Sequence, residues 1–366
     1  MLLYLTDSLI VDEADPRLKD IKRCAKYLAM AMMEQNHIIR GDFKVLNWLC
    51  HIMMGYDEDS VKVFNRLCKR FATYTVPECL HYYVKIILDI PSVDLEHEGE
   101  VNIKPLQYTY FLDSTKIQKM PFIGEDTADC TFYAHIGNYY LRKNRINMKL
   151  AMRPEKGNGS SIASATTAYI LLHKPVICIV DSDKRYPNQP KDPTSTFEKS
   201  LVIWNSYPNI NEMFYYYVVE TQEIENLIPY NYINGLDKWN GQLSENKEFF
   251  DKLYNSSNRE IILQYFDIKN GLKKRGEMNE NHAYLDYVVK CCMCFDETCN
   301  ENTILQKGKG EVLYPHLCHS LLKETNEYIA DNHDLVPSLL EFQEREWNNI
   351  GLFLLDMCCA SIEEFV

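Results

Sequence analysis

The chain has 366 residues and a mass of 42.9 kDa, with 46% hydrophobic, 12% aromatic and 25% charged residues. That composition supplies a real core and excludes a disordered, collagen-like or low-complexity protein. Fifty-two Asp and Glu outweigh 39 Lys and Arg, for a net charge of −13, which excludes an unaided, sequence-independent grip on a polyanion. Any action on nucleic acid then needs local basic patches or a partner. No apolar run reaches the roughly 18 residues that span a bilayer. The opening MLLYLTDSLIVDEADPR has no basic n-region and meets Asp7 too early for a signal peptide. Thirteen Cys, an odd number scattered among helical patterns, point to reduced thiols and a cytoplasmic protein.

In chain order, residues 1–100 read as a helical N-terminal region. Leu18, Ile21, Cys24, Ala25, Leu28, Ala29, Met32 and Met33 recur at three and four, the stripe of an amphipathic helix over 16–35. Further helices fit 43–54 and 60–71, the latter capped by Asp57 or Asp59. An apolar segment runs over 77–90 between two prolines, and acidic 92–102 reads as a linker. From residue 117 the pattern changes. Short apolar runs at 120–123, 148–152, 176–180 and 213–219 read as strands. Helix-period segments separate them, one carrying Phe132, Tyr133, Ile136, Tyr139 and Tyr140 on one face and another covering 162–172. This alternation predicts an α/β domain over 117–235, a parallel sheet flanked by helices. Residues 236–366 read as a mostly helical C-terminal region.

Ligands of open parallel sheets bind beyond the carboxyl ends of the strands, so the residues after each run matter. Gly124-Glu125-Asp126-Thr127-Ala128-Asp129 follows the first, and Arg153 to Ser161, containing Gly157 and Gly159, follows the second. Asp181-Ser182-Asp183-Lys184-Arg185 follows the third, and Glu220, Glu223, Glu225 and Asn226 follow the fourth. Carboxylates gathered on one sheet edge repel one another unless they are protonated or a divalent cation neutralises them. Hard oxygen donors suit Mg²⁺ or Mn²⁺. Each motif alone has a plainer reading: a turn or cap for Asp181-Ser182-Asp183, first-turn acids for Glu125 and Asp129, and a solvated helix face for the later glutamates. Only the series of four in order favours a site.

Gly-Glu-x-x-x-Asp, a Gly-rich turn, a strand ending Asp-Ser-Asp and Glu223-Ile224-Glu225-Asn226 together resemble the TOPRIM domain. The nearest version is that of OLD-family nucleases and standalone TOPRIM effectors of bacterial anti-phage defence. The resemblance covers residues 117–230, under a third of the chain. Glu155, just before the glycines, is an alternative first glutamate, and Glu125 is preferred because it precedes the right number of strands. The resemblance implies a Mg²⁺-dependent endonuclease, gated by a regulatory partner such as an ATPase, with DNA or RNA as substrate. Two ions about 3.5–4 Å apart serve phosphodiester cleavage. Glu125 and Asp181 are expected on one, with Asp183 sharing it, and Asp129 with Glu223 or Glu225 on the second. Lys184 and Arg185 are candidates for the phosphate, as are Gly157, Gly159 and Ser160, with helix capping the equal alternative for the hydroxyl. Lys269, in Asp267-Ile268-Lys269-Asn270-Gly271, is either a catalytic cation or a turn residue. Two other readings are open: a nucleotide-sugar transferase using Asp181-Ser182-Asp183, and a non-catalytic partner-binding protein on the same scaffold. The patch of Cys291, Cys292, Cys294 and Cys299, with His316, Cys318 and His319 downstream, admits a structural Zn²⁺, but buried free thiols are the commoner reading.

Overall fold

The computed structural model describes residues 1–73, 77–158, 161–207, 213–239, 241–332 and 334–362. The N-terminal region is not helical alone. It carries β1 (Leu2–Leu5), α1 (Leu18–Met33), β2 (Ile38–Gly41), α2 (Phe43–Met53), α3 (Glu58–Lys69), β3 (Tyr82–Ile87), β4 (Glu96–Glu98) and β5 (Val101–Gln107). The strands form one sheet in the order β2-β1-β3-β5-β4, parallel except for β4. The three expected helices are present, and Asp57 caps the third by accepting from Ser60 N at 3.1 Å. The expected linker over 92–102 is instead β4 and the start of β5. β1 and β2, four residues each and buried almost throughout, have no room to show a period of two, and β3 lies inside the apolar segment between the two prolines.

The second sheet is built from β6 (Met120–Gly124), β8 (Met152–Lys156), β9 (Val176–Val180) and β10 (Phe214–Val218), in the order β10-β9-β6-β8 and wholly parallel. A two-residue strand, β7 (Lys149–Leu150), precedes β8. Helices α4 (Thr127–Lys143), α5 (Ile162–Leu171) and α6 (Thr196–Asn205) connect the large strands. The expected strand at 148–152 is displaced toward the C-terminus. The paired strand is β8, an edge strand exposing Arg153 and an Arg153–Glu155 ion pair at 2.9 Å, so it carries no apolar run.

After the second sheet the chain is mostly helical, as expected: α7 (Tyr230–Asn234), α8 (Gly241–Tyr254), α9 (Arg259–Tyr265), α10 (His282–Met293), α11 (Glu301–Leu305), α12 (Leu321–Asp331) and α13 (Glu341–Cys358). The remaining strands, β11 (Leu272–Lys273), β12 (Val312–Tyr314) and β13 (Cys359–Ala360), form two short antiparallel pairs, β11 with β12 and β13 with β7. Helix α13 is no appendage. Its Trp347, 1% exposed, meets Phe132 and His135 of α4 edge to face, and its Gly351 lies under Tyr140. At its far end Asp356 accepts the His81 amide at 2.9 Å, just before β3. The two sheets also meet directly through the Tyr82 and Tyr215 hydroxyls. No helix among the described residues is long and apolar enough to cross a membrane.

Candidate metal centre

The order β10-β9-β6-β8 puts the change of direction between β6 and β9. From β6 the chain passes through α4 to β8 on one side, then through α5 to β9 on the other. Connections leaving adjacent strands in opposite directions open a crevice at their carboxyl ends. Ile123 is in register with Cys178, so Glu125 and Asp181 leave neighbouring strands about one strand spacing apart. Asp181 is 8% exposed and Glu125 half-buried. Neither carboxylate accepts a hydrogen bond from a described residue.

Two further elements bring acids to this crevice. Asp126 caps α4, and Asp129 closes the reciprocal capping box by accepting the Asp126 amide at 2.8 Å. After β10, the turn over 223–227 is pinned by Asn226, whose amide donates to Leu263 O at 2.7 Å and Phe266 O at 2.8 Å. That clamp buries Glu225, which is 2% exposed. Lys269 approaches from the turn after α9, with its Nζ 2.9 Å from Glu225 Oε1 and 3.7 Å from Glu223 Oε2. The turn holds its shape through Asp267, which accepts the Asn270 amide at 2.7 Å, and through Gly271. Gly271 has φ +68° and stands where a Cβ would lie 2.4 Å from Tyr314 O, so no other residue fits without strain.

The electrostatics follow from crowding. Burial, then the charges of Asp129 and Asp183, lift Glu125 to about 7. Burial and Glu225 lift Asp129 to about 6, against the pull of the Asp126 amide. Burial and Glu225 lift Glu223 to about 8. Asp181 stands well above the carboxylate range because of burial, with Glu125, Glu225 and Asp129 adding to the shift. Burial alone pulls Lys269 down, but Glu225 and Glu223 more than reverse this and its pKa is raised. One ammonium therefore answers four or five carboxylates. The second oxygen of Glu225 is buried with no hydrogen-bond partner among the described residues, a position that costs free energy unless a cation or proton meets it. Hard oxygen donors, an orphaned carboxylate oxygen and mutual repulsion fit a divalent cation. In the conformation described, no three His, Cys, Asp or Glu side chains among the described residues converge within reach of a single ion.

The structure thus brings together Glu125, Asp129, Asp181, Glu223, Glu225 and Lys269. Asp183 lies at the margin. It touches the cluster through its charge on Glu125, but its carboxylate accepts the Thr196 amide at 3.0 Å and so caps α6 from a left-handed backbone at φ +57°. Glu220 is outside the group, half-exposed and 3.9 Å from Arg345. Several phosphate-binding expectations need correction. The Gly157 amide is spent on Gly124 O at 2.9 Å, and a Cβ there would lie 2.5 Å from that oxygen. Gly157 serves close packing of strand ends, not an anion. Arg185 turns to Glu277 at 3.3 Å, away from the acids. The Ser182 hydroxyl donates to Thr221 O at 2.5 Å and ties the ends of β9 and β10 together. Lys184 lines a neighbouring cavity of about 250 Å³ with Lys191 and Phe197. Gly159 and Ser160 lie outside the described residues. Cys291 and Cys292 sit on α10 with buried thiols whose pKa values are pushed up by burial.

Two buried acids of α13 were missed in the sequence, Asp356, which holds the His81 amide, and Glu346. Glu346 of α13, 1% exposed, accepts from the Tyr217 hydroxyl at 3.0 Å and the Glu220 amide at 2.9 Å. Burial lifts it to about 7, and its second oxygen has no partner among the described residues. It anchors the end of β10, and only its place in an otherwise core-facing helical stripe signals it. The packing of Gly157 gives a test. Gly157→Ala is expected to cost about 1–3 kcal/mol and to weaken divalent-cation stabilisation, because the clash pushes Gly124 and so Glu125 out of register. Thermal unfolding with and without Mn²⁺ measures both effects.

Comparison with protein-family models, curated proteins and solved structures finds no match to this chain.

Proposed function

We propose that the chain is a Mg²⁺- or Mn²⁺-dependent phosphodiester-cleaving nuclease of TOPRIM type, an antiviral defence effector gated by a partner protein such as an ATPase. The observation that carries this reading is the gathering of Glu125, Asp129, Asp181 and Glu225 around Lys269 where the strand order reverses. The crevice is acidic and partly buried, as in sites that spend metal charge on a phosphate. A divalent ion held there supplies Lewis-acid charge to the phosphoryl oxygens and a bound water of lowered pKa. Glu125 and Asp181, which accept no hydrogen bonds from described residues, are the first candidates to hold it. Asp129 and Glu225 are candidates for a second ion, and Glu223 shares Lys269 with Glu225. Lys269 carries the cation best set to answer charge developing on a transferred phosphoryl group. The net charge of −13 supports a partner that helps to hold the polyanion.

Incubating the purified chain with plasmid, single-stranded DNA and transfer RNA, with Mn²⁺, Mg²⁺ or EDTA, tests the reading. Cleavage of one of these with metal and none with EDTA is expected. Failure to bind Mn²⁺ by calorimetry overturns it.

A further inference from the structure

The amino ends of the second sheet form a separate cavity of about 380 Å³, at the rim opposite the acids. Five-residue strands separate the two rims by roughly 15 Å. Lys119 precedes β6, Arg153 lies on β8, and Lys174 precedes β9, so three chain segments each bring a cation to one hollow. Its apolar surfaces are Pro121, Pro175 and the ring of Tyr169. In a chain with 13 more acids than bases, this convergence is unusual.

Two of the cations, Arg153 and Lys119, are held ready for a ligand. Arg153 donates through Nε to Glu155 at 2.9 Å and through Nη2 to the Tyr169 hydroxyl at 3.4 Å, which fixes the guanidinium beside the phenol ring. Its Nη1 has no partner among the described residues. Lys119 is exposed and has no ion-pair partner among the described residues. Three carbonyls near the end of α5 are taken by backbone amides. Ala168 O, Ile170 O and Tyr169 O accept the amides of Leu172, His173 and Lys174 at 3.3, 3.1 and 3.0 Å. Asp113 accepts from the Thr115 amide and hydroxyl at 2.9 and 2.8 Å, and Lys116 and Lys174 both act on its charge.

We propose that this cavity binds a free nucleoside phosphate, with the phosphates on Lys119, Arg153 and Lys174 and the base against Tyr169 and the two prolines. Small-molecule sites occupy about 300–1,000 Å³ and combine apolar walls with a few convergent polar groups. Guanidinium and ammonium groups bind phosphate through charge-assisted hydrogen bonds, and an aromatic face accepts a base by stacking. A nucleic acid strand shares the phosphate chemistry, but a hollow of this size closed by α5 suits one nucleotide better than a run of them. The proposal stands independently of the metal centre.

Isothermal titration of the full chain in EDTA with ADP, inorganic phosphate and a single-stranded oligonucleotide tests it. ADP is expected to bind at one site per chain and at least about tenfold more tightly than inorganic phosphate. Lys119→Ala and Arg153→Ala are each expected to weaken ADP at least about tenfold, the equivalent of about 1.4 kcal/mol. Tyr169→Leu is expected to weaken ADP while leaving phosphate unchanged. Lys119 is exposed, so its variant keeps the fold. The proposal is overturned if millimolar ADP gives no binding, if the Lys119→Ala/Arg153→Ala protein binds ADP as the parent does, if phosphate equals ADP, or if the oligonucleotide alone binds.

Discussion

Replacing Asp181 with Asn, or Glu125 with Gln, is expected to lower metal-dependent cleavage by at least about 10²-fold, on the scale of losing one preorganised electrostatic contact to a transition state. Both leave the shape of the crevice intact, so the loss is one of charge and not of packing. Neither side chain accepts a hydrogen bond from a described residue, and therefore an amide strands no donor. In the metal-free protein the same changes should stabilise, by about 1–3 kcal/mol at pH 8.5 for Asp181→Asn, because a buried carboxylate without a cation is a cost that the amide removes. Activity and stability thus move in opposite directions. A Glu220→Gln protein, altered on the half-exposed side chain beside Arg345, should cleave as the parent does. Undiminished cleavage by a Glu125→Gln/Asp181→Asn double variant would remove the nuclease reading.

The stability of the metal-free chain is expected to fall by several kcal/mol as pH rises from 5 to 9. Glu125 stands at about 7 against an ordinary 4.5, Glu223 at about 8 against 4.5, and Asp129 at about 6 against 3.8. A carboxyl whose pKa is higher folded than unfolded holds its proton more tightly in the folded state. The stabilisation is therefore complete below the unfolded value and is lost as pH climbs through the folded one. Glu346, at about 7, and Asp356, likewise raised to about 7, add to the same trend outside the cluster. Divalent cations compete with those protons, so saturating Mn²⁺ should recover about 2–3 kcal/mol at pH 8.5 and little at pH 5. Calorimetric melts at both pH values with and without Mn²⁺ decide it. An equal metal shift at both would detach the acids from metal binding.

Much of the second sheet was legible because its central strands are buried on both faces. The runs at β6, β9 and β10 are apolar and bounded by turn residues or acids, and those acids are what the sheet brings together. The first sheet was not legible: β1 and β2 are four residues long and flank the amphipathic α1, and β3 and β5 carry no clean alternation of buried and exposed positions. Strand β8 was placed too early because an edge strand facing solvent needs no apolar pattern. At the site, side-chain identity showed which groups could ionise but not where they point. Asp183 reads as a ligand and is largely a cap. Gly157 reads as a phosphate loop and is a packing contact. Lys269, an ordinary turn residue by pattern, meets Glu225 only because Asn226 ties that turn to the end of α9. Long-range clamps of this kind leave no local trace.

Because α13 packs on α4, contacts the segment before β3 and lends its last carbonyl to Ala151 at 2.7 Å, the acid-bearing sheet is completed by a helix that begins at residue 341, far along the chain from the sheet's last strand at 214–218. A gene fragment ending at residue 235 would leave Phe132 and His135 facing water where Trp347 belongs. The acid-bearing half is not a portable cassette: without residues 341–358 the crevice loses the helix that braces its α4 wall.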